Sequence, residues 1–385
     1  MKIPNPTLFL STALAPLMAA SAFAGTPTAP TTEDEKKQPP TAFDKLWGLA
    51  TLYKNDKNPF LQELKLRGRY QGQYHWLDSD QGDEQDWENR RSRFGIDAKL
   101  FHQFELRFDV QSNDEWDPFY DRMVDAYIKW VPSDKFSLTV GRQKPQIAYY
   151  DFLQSTNNQP TFERSQIFNQ LRVDRAPGAV AEYKTGRWTF QAGVYSNDVN
   201  REFGNFDGGA SFGAGASYDL KDVWHLDKAT ARVDWLHSES ESIDSVLNVY
   251  DDIVTATLWI KQGPWNVVGE AFYATGGAPD VFGLYIQPTY DLVPKRLQAV
   301  ARCSFSTGDG PDSIVAQSRY ERAAPFLTGG GRGDQYQAAY LGFQYFIYGD
   351  KLKFLGGVEW AHLNGGGNGG GFDSVTTLAG VRVSF

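Results

Sequence analysis

From residue 61 to the C-terminus, apolar and polar side chains alternate along the chain with a period of two. Leu64 and Leu66, for example, alternate with Lys65 and Arg67. Because successive side chains of a β-strand point to opposite faces, each such segment has one apolar face and one polar face. The alternation predicts about sixteen strands, at residues 61–76, 87–101, 104–113, 123–131, 136–144, 177–184, 187–197, 209–220, 229–240, 251–261, 265–275, 281–291, 296–307, 334–348, 351–364 and 373–385.

The connections between these segments differ systematically in length. Connections such as 102–103, 185–186 and 349–350 are short, whereas the alternate ones are mostly long and rich in Gly, Asp, Asn and Ser. The long connections span 77–86, 114–122, 145–176, 308–333 and 365–372. Short turns at one end and long loops at the other are typical of transmembrane barrels. The sequence therefore predicts an all-β fold, a transmembrane antiparallel β-barrel whose apolar face contacts lipid and whose polar face lines water.

Both ends of the chain carry features of export to an outer membrane. Lys2 precedes an apolar stretch at 8–20, and a small-x-small cleavage site follows at 22–24, so residues 1–24 are interpreted as a secretory signal peptide. The last predicted strand ends in Phe385, which resembles the signature by which outer-membrane barrels are handed to their assembly machinery. We therefore expect the protein in the outer membrane of a Gram-negative bacterium, in contact with lipid and lipopolysaccharide.

The segment that follows the signal peptide does not show the two-residue period. Residues 25–60 begin with a polar stretch rich in Pro and Thr, and are predicted to form a periplasmic leader. Within this leader, residues 43–53 form either a short amphipathic helix or a linker with apolar anchors. Residues 61–385 are predicted to form the barrel.

Basic side chains recur on the polar face of the predicted strands. Arg67 and Arg69 share one face of the first strand, and Arg91 and Arg93 share one face of the second. Guanidinium groups keep their positive charge and bind carboxylate or phosphate bidentately, and rings of charged side chains set the selectivity of pores. The alternative is that these charges pair with neighbouring acids such as Asp97 and only stiffen the wall. The predicted pore-lining basic residues are Arg67, Arg69, Arg91, Arg93, Arg107, Lys129, Arg232 and Arg302.

The connection at 145–176 is the longest one in the chain. Loops of this length usually have a function, and this one follows the fifth predicted strand on the long-loop side. We predict that it folds into the barrel and narrows the lumen, whereas the alternative is an external loop that packs on a neighbouring subunit. The residues predicted at the constriction are Tyr149, Tyr150, Asp151, Glu163 and Arg164.

Composition and motifs argue against several other classes of protein. A formal net charge of −9 disfavours a general nucleic-acid binder. Cys303 is the single cysteine, so no internal disulfide can form. The five histidines show no metal-ligand spacing, and no Gly-x-Ser-x-Gly elbow or phosphate-binding glycine loop occurs. The sequence therefore predicts no enzymatic activity, no metal and no cofactor.

Four stretches of the chain together resemble the phosphate-selective porin O and P family. They are the residues at 90–101, 125–128, 138–145 and 161–165, of which RRSRFG and LTVGRQKP are the longest matching strings. This resemblance implies a sixteen-stranded porin, a homotrimer with a basic lumen and an inward-folded third loop. The third loop, residues 146–176, contains no lysine, so the resemblance predicts the architecture rather than a phosphate trap.

The function expected from these features is passive diffusion of small hydrophilic solutes through a water-filled channel. The basic lumen predicts an anion preference, with phosphate among the candidate anions. Two alternatives stay open: a polysaccharide-secretion barrel of the alginate-export type, and a soluble secreted β-protein that binds carbohydrate through its aromatic side chains.

Overall fold

A computed structural model describes residues 40–198, 202–239, 250–317, 319–322, 324, 328–365 and 371–385. The predicted signal peptide and the first part of the predicted leader, residues 1–39, lie outside the described residues.

In the described part of the chain, sixteen long strands form one closed antiparallel barrel. Each strand pairs with its neighbour in sequence, and the pairings of β9 with β10 and of β18 with β2 complete the ring. Two short strands, β1 and β15, pair antiparallel with β2 and β16. The strands are β1 (Thr51–Lys54), β2 (Leu61–Ser79), β3 (Gly82–Leu100), β4 (Phe104–Ser112), β5 (Tyr120–Ser133), β6 (Phe136–Gln143), β7 (Ala176–Thr185), β8 (Trp188–Ser196), β9 (Ala210–Asp219), β10 (Lys228–Ser238), β11 (Asp252–Gln262), β12 (Trp265–Thr275), β13 (Val281–Val293), β14 (Leu297–Gly308), β15 (Ile314–Val315), β16 (Arg332–Tyr348), β17 (Leu352–Gly365) and β18 (Phe372–Ser384).

The barrel wall places polar side chains inside and apolar side chains outside. In β11, Val254 and Leu258 are exposed on the outer face, whereas Thr255 and Thr257 are buried. This is the reverse of a soluble β-protein, and it is the arrangement that a lipid-facing barrel requires. Exposed tryptophans follow the same logic, because they lie near the strand ends, where the membrane meets water. Examples are Trp188, Trp235 and Trp265.

Helices are few and short in the described part of the chain. They are α1 (Ala42–Gly48), α2 (Gln166–Leu171) and α3 (Lys221–Trp224), together with a π-helical turn at Tyr149–Leu153 and a 3-10 turn at Thr328–Gly331. No helix among the described residues is long and apolar enough to cross a membrane. Residues 43–53, for which helix and linker were both open, form most of α1 and then β1. Trp47 of α1 donates its indole N–H to the carbonyl of Ser384 at 2.6 Å, which attaches the helix to the end of the last strand.

The prediction of a long connection at 77–86 is wrong. β2 and β3 each have 19 residues, and the turn that connects them consists of Asp80 and Gln81. Asp78 pairs with Asp83, so the ladder continues through a stretch that is almost entirely polar. The polar composition suggested a loop, but backbone hydrogen bonds hold a strand pair together regardless of side-chain polarity.

The third loop, residues 144–175, folds into the barrel, as predicted. Ile147, Phe152, Phe162 and Ile167 are buried in the interior, and the turn at Tyr149–Leu153 contacts β11 and β12. The loop therefore fills one side of the lumen and leaves the other side, along β2 to β8, to line open space.

Candidate functional site

Two buried side chains of the barrel wall, a glutamate and an arginine, hold the third loop in place. The Glu270 carboxylate on β12 accepts hydrogen bonds from the backbone N–H groups of Tyr150 (3.1 Å) and Asp151 (3.0 Å). Arg302 on β14 donates to the carbonyl of Glu163 at 3.0 Å and is itself paired with a glutamate of β17. Because hydrogen bonds to charged groups are among the stronger ones, the loop is fixed against the β11–β17 half of the wall.

On the opposite half of the wall, a cavity lies on each side of the third loop. The first lies toward the short turns and has a volume of about 380 Å³; we call it the turn-side cavity. The second lies toward the long loops and measures about 310 Å³; we call it the loop-side cavity. The short turns of outer-membrane barrels face the periplasm, so the turn-side cavity opens toward the periplasm.

Basic side chains dominate the walls of both cavities. Asp125 and Glu182 are the acids of the turn-side cavity, against Arg67, Arg69, Arg93, Arg107, Lys129, Lys144, Arg164, Arg175 and Arg232. Glu163 and Asp174 are the acids of the loop-side cavity, against Arg90, Arg91, Arg93, Arg122, Arg164, Arg172, Arg175, Arg319 and Arg322. The lumen is therefore strongly basic although the whole chain carries a formal charge of −9.

Three arginines, Arg93, Arg164 and Arg175, line both cavities and mark the passage between them. The Arg164 guanidinium lies over the rings of Phe152 (5.6 Å) and Phe168 (4.6 Å) and donates to loop carbonyls. Burial lowers the pKa of Arg164 to about 10, so this side chain keeps its charge at neutral pH. Arg175 is paired with Asp125 at 2.7 Å.

The basic residues differ in how far neighbouring acids neutralise them. Arg67 pairs with Asp97 (2.8 Å) and Asp109 (3.0 Å). Arg69 and Arg93 face each other in register on β2 and β3, and among the described residues neither has a carboxylate partner. Like charges directly opposite each other destabilise a strand pair, so this arrangement has an energetic cost that a purely structural role does not explain.

Glu163 illustrates how the loop-side cavity stays basic in spite of a buried acid. Its carboxylate accepts hydrogen bonds from Arg90 at 2.6 and 3.0 Å, and Arg91 lies at 3.5 Å. Burial by itself would raise the pKa of Glu163, but the charges of Arg90 and Arg91 outweigh it and hold the pKa well below its usual value. The carboxylate is therefore ionised and screened by two guanidinium groups.

The structure brings most of the predicted residues to one of the two cavities. Tyr150 and Asp151 are buried and turn toward Glu270, away from both cavities. Arg302 is also buried and contacts the loop. The turn-side cavity contains Arg67, Arg69, Arg93, Arg107, Lys129, Arg232, Tyr149 and Arg164, and the loop-side cavity contains Arg91, Arg93, Glu163 and Arg164.

Several cavity residues were not predicted from the sequence. Arg172 and Arg175 close the third loop, Arg90 precedes the predicted arginine pair on β3, and Arg319 and Arg322 come from the segment between β15 and β16. The basic end of the third loop, LRVDRA, was a signal for the first two. Arg319 and Arg322 had no such signal, because only the folding of a distant loop brings them to the cavity.

The fold and its polar, basic interior define the class of this protein, an outer-membrane porin. The family model described as phosphate-selective porin O and P matches residues 64–232, which confirms the predicted resemblance over this segment. The protein therefore forms a channel for small hydrophilic solutes across the outer membrane. Among the described residues, no cluster of His, Cys, Asp and Glu is suited to hold a metal ion.

Solved structures of other outer-membrane proteins share this fold at low sequence identity. An anion-selective porin from Comamonas acidovorans aligns with a TM-score of 0.60 and 11% identity, covering 84% of this chain and 99% of its own. The outer-membrane channel DcaP of Acinetobacter baumannii aligns with a TM-score of 0.57 and 12% identity, over 87% and 100% of the two chains. The trimer form of OmpT from Vibrio cholerae gives 0.50 and 12%, over 84% and 99%. No curated protein sequence is significantly similar to this chain.

Proposed function

We propose that this porin lets small anions diffuse passively and prefers them over cations. The single observation that carries the proposal is that both cavities are basic and share Arg93, Arg164 and Arg175. A solute that crosses the third loop passes these three guanidinium groups. In a narrow lumen with a low-dielectric wall, their field is screened less than in bulk water, so it lowers the barrier for anions and raises it for cations.

The proposal covers anions in general rather than phosphate in particular. Guanidinium groups bind carboxylate and phosphate equally well in geometric terms. Apart from Lys144 at its start, the third loop contributes arginine and no lysine, which leaves the kind of anion to be measured. Passive diffusion needs no catalytic group, and we propose no enzymatic role.

We further propose that the mature protein is a homotrimer. One of the structures with the same fold is a trimer form, and the resemblance to the porin family implies the same assembly. The proposal includes removal of residues 1–24 as a signal peptide, and contact of the mature barrel with lipopolysaccharide. We also propose that Phe385 is read by the barrel assembly machinery.

The reversal potential of purified protein in planar bilayers tests the anion preference directly. In a potassium chloride gradient, we expect the wild type to give a reversal potential whose sign shows that chloride is more permeant than potassium. Arg93→Gln and Arg164→Gln should each shift it toward potassium, because each removes a positive charge from the passage between the cavities. The same recording with phosphate added shows whether phosphate competes with chloride.

A matched control is Arg187→Gln, which removes an exposed arginine on the short turn between β7 and β8. This variant should keep the wild-type reversal potential. A wild-type channel that prefers potassium would overturn the proposal. Identical shifts in Arg93→Gln and Arg187→Gln would show that total charge, rather than the passage, sets the selectivity.

A further inference from the structure

Another cavity of the barrel has a chemistry that differs from that of the basic pair. It has a volume of about 230 Å³ and lies against the β11–β17 half of the wall, beneath the third loop. We call it the amide recess, after lining residues that include Gln154, Asn158, Asn266 and Gln344 with the rings of Trp259 and Phe346. Asp350 is the one charged residue described in its lining, and it is paired with Lys353 at 2.8 Å.

The amide recess lies next to the turn-side cavity. Tyr149 lines the turn-side cavity, and its ring centroid is 6.2 Å from that of Trp259, which lines the recess. Asp350 belongs to the short turn between β16 and β17, so the recess is on the same side of the third loop as the turn-side cavity. A solute that has passed the third loop therefore meets a basic wall on one side and a neutral wall on the other.

Several polar groups of the recess are not used by the protein itself. The Oε1 atom of Gln344 is buried and has no hydrogen-bond partner among the described residues, although the residue is only 2% exposed. The side-chain amide of Asn158, an exposed residue, makes no hydrogen bond within the described part of the chain and is open to a solute. A buried acceptor without a partner costs free energy, so such a group usually has a water or ligand partner.

We propose that the amide recess binds a neutral polyhydroxylated solute the size of a monosaccharide. An amide offers a donor and an acceptor side by side, which matches a hydroxyl group that both donates and accepts. The rings of Trp259 and Phe346 line the recess and give it apolar carbon against which the C–H face of a sugar ring can pack. The Lys228 ammonium lies over one face of the Trp259 ring. The one charged residue described in the lining, Asp350, is paired with Lys353, so charge in the lining does not explain its composition.

The volume is consistent with such an occupant. At about 30 Å³ for each water in the liquid, a cavity of this size holds roughly eight waters. A monosaccharide displaces a comparable number, and the amides that held those waters then bind its hydroxyl groups. The competing outcome is that the recess holds ordered water only.

Current fluctuations through single channels test the proposal with glucose as the probe. The protein is purified in a detergent without a sugar headgroup, because such a detergent would occupy the same recess. We expect glucose, added on the short-turn side, to cause brief partial blocks whose frequency saturates with concentration. Gln344→Leu should weaken this apparent affinity about three- to tenfold, the range expected for one lost hydrogen bond. Trp259→Ala should weaken it as well.

The matched control is Gln337→Leu, because Gln337 lies on the same strand but belongs to its outward-facing set. This variant should respond to glucose as the wild type does. Blocks that persist unchanged in Gln344→Leu and Trp259→Ala, or their absence in the wild type, would overturn the proposal and leave a hydrated wall. The reversal potential of Gln344→Leu should stay at the wild-type value, so this outcome is independent of the anion preference.

Discussion

At the scale of single residues, strand alternation predicts which way a side chain points but not what it meets. Arg67 and Arg69 are two positions apart and share the inner face of β2. Arg67 is neutralised by Asp97 and Asp109, whereas Arg69 contacts the hydroxyl groups of the third loop. The difference arises from the register of β2, β3 and β4 and from the path of a distant loop. Neither can be read from the alternation.

Glu321 provides a pH prediction at this scale. Burial, helped by the nearby charge of Glu359, raises the pKa of Glu321 to about 8, and the hydroxyl group of Tyr336 donates to its carboxyl group at 2.9 Å. Between about pH 4.5 and pH 8, the carboxyl group of Glu321 is therefore protonated in the folded protein and ionised in the unfolded chain. By linkage, the stability contribution of this group is full below pH 4.5 and is lost as the pH rises to 8.

Glu321→Gln removes this proton equilibrium and should change the pH dependence accordingly. Thermal unfolding in detergent, followed by circular dichroism, should give similar midpoints for variant and wild type at pH 5. At pH 9 the variant should unfold at the higher temperature, because it has no carboxyl group to ionise in the buried site. A constant difference between the two proteins from pH 5 to pH 9 would contradict the assigned pKa.

At the scale of elements, the strands were predictable because lipid on one side and water on the other impose the period of two. The sixteen predicted strands all exist, most with ends within a few residues of those observed. The exception is the extension of β2 and β3 to Asp80, where both faces are polar and the period carries no information. The inward path of the third loop was predicted from its length, but its anchors were not, since Glu270 is about 120 residues away in the sequence.

The anchor at Glu270 can be tested by Glu270→Gln. An amide has one acceptor oxygen and no charge, so the variant should lose most of the hold on the N–H groups of Tyr150 and Asp151. The loss expected for hydrogen bonds to a charged group is about 1–3 kcal/mol. We expect faster trypsin cleavage at Arg164, Arg172 or Arg175 within the third loop, and noisier single-channel currents.

Glu182→Gln is the matched control for this variant. It removes one negative charge from the wall of the turn-side cavity, but Glu182 pairs with Lys184 and makes no described contact with the third loop. Its proteolysis pattern should be that of the wild type. Equal protection of the loop in both variants would mean that the apolar contacts of the loop, rather than Glu270, hold it in the lumen.

At the scale of the whole molecule, the overall charge and the charge of the lumen have opposite signs. The chain has 47 acidic and 38 basic residues, yet the two cavities are lined mainly by arginine and lysine. Many acids lie instead in polar stretches such as the extended end of β2 and β3. The net charge of the chain could therefore not predict the charge of the lumen. A barrel has separate inner, outer and loop surfaces, whereas the net charge adds the residues of all three.

This separation predicts how the selectivity depends on salt. The electric field in the lumen arises from Arg69, Arg93 and the basic residues around them. Arg69 and Arg93 have no carboxylate partner among the described residues. Mobile ions screen such a field over about 10 Å at 0.1 M salt and about 3 Å at 1 M. We therefore expect the anion preference, measured with equal concentration ratios, to be largest in dilute salt. It should approach the ratio of the free ion mobilities near 1 M, where Arg93→Gln should become indistinguishable from the wild type. An anion preference that stays constant across this range of salt would contradict this expectation. It would indicate that anions bind to single guanidinium groups through contact hydrogen bonds, because such bonds are far less sensitive to screening than a field that acts across the lumen.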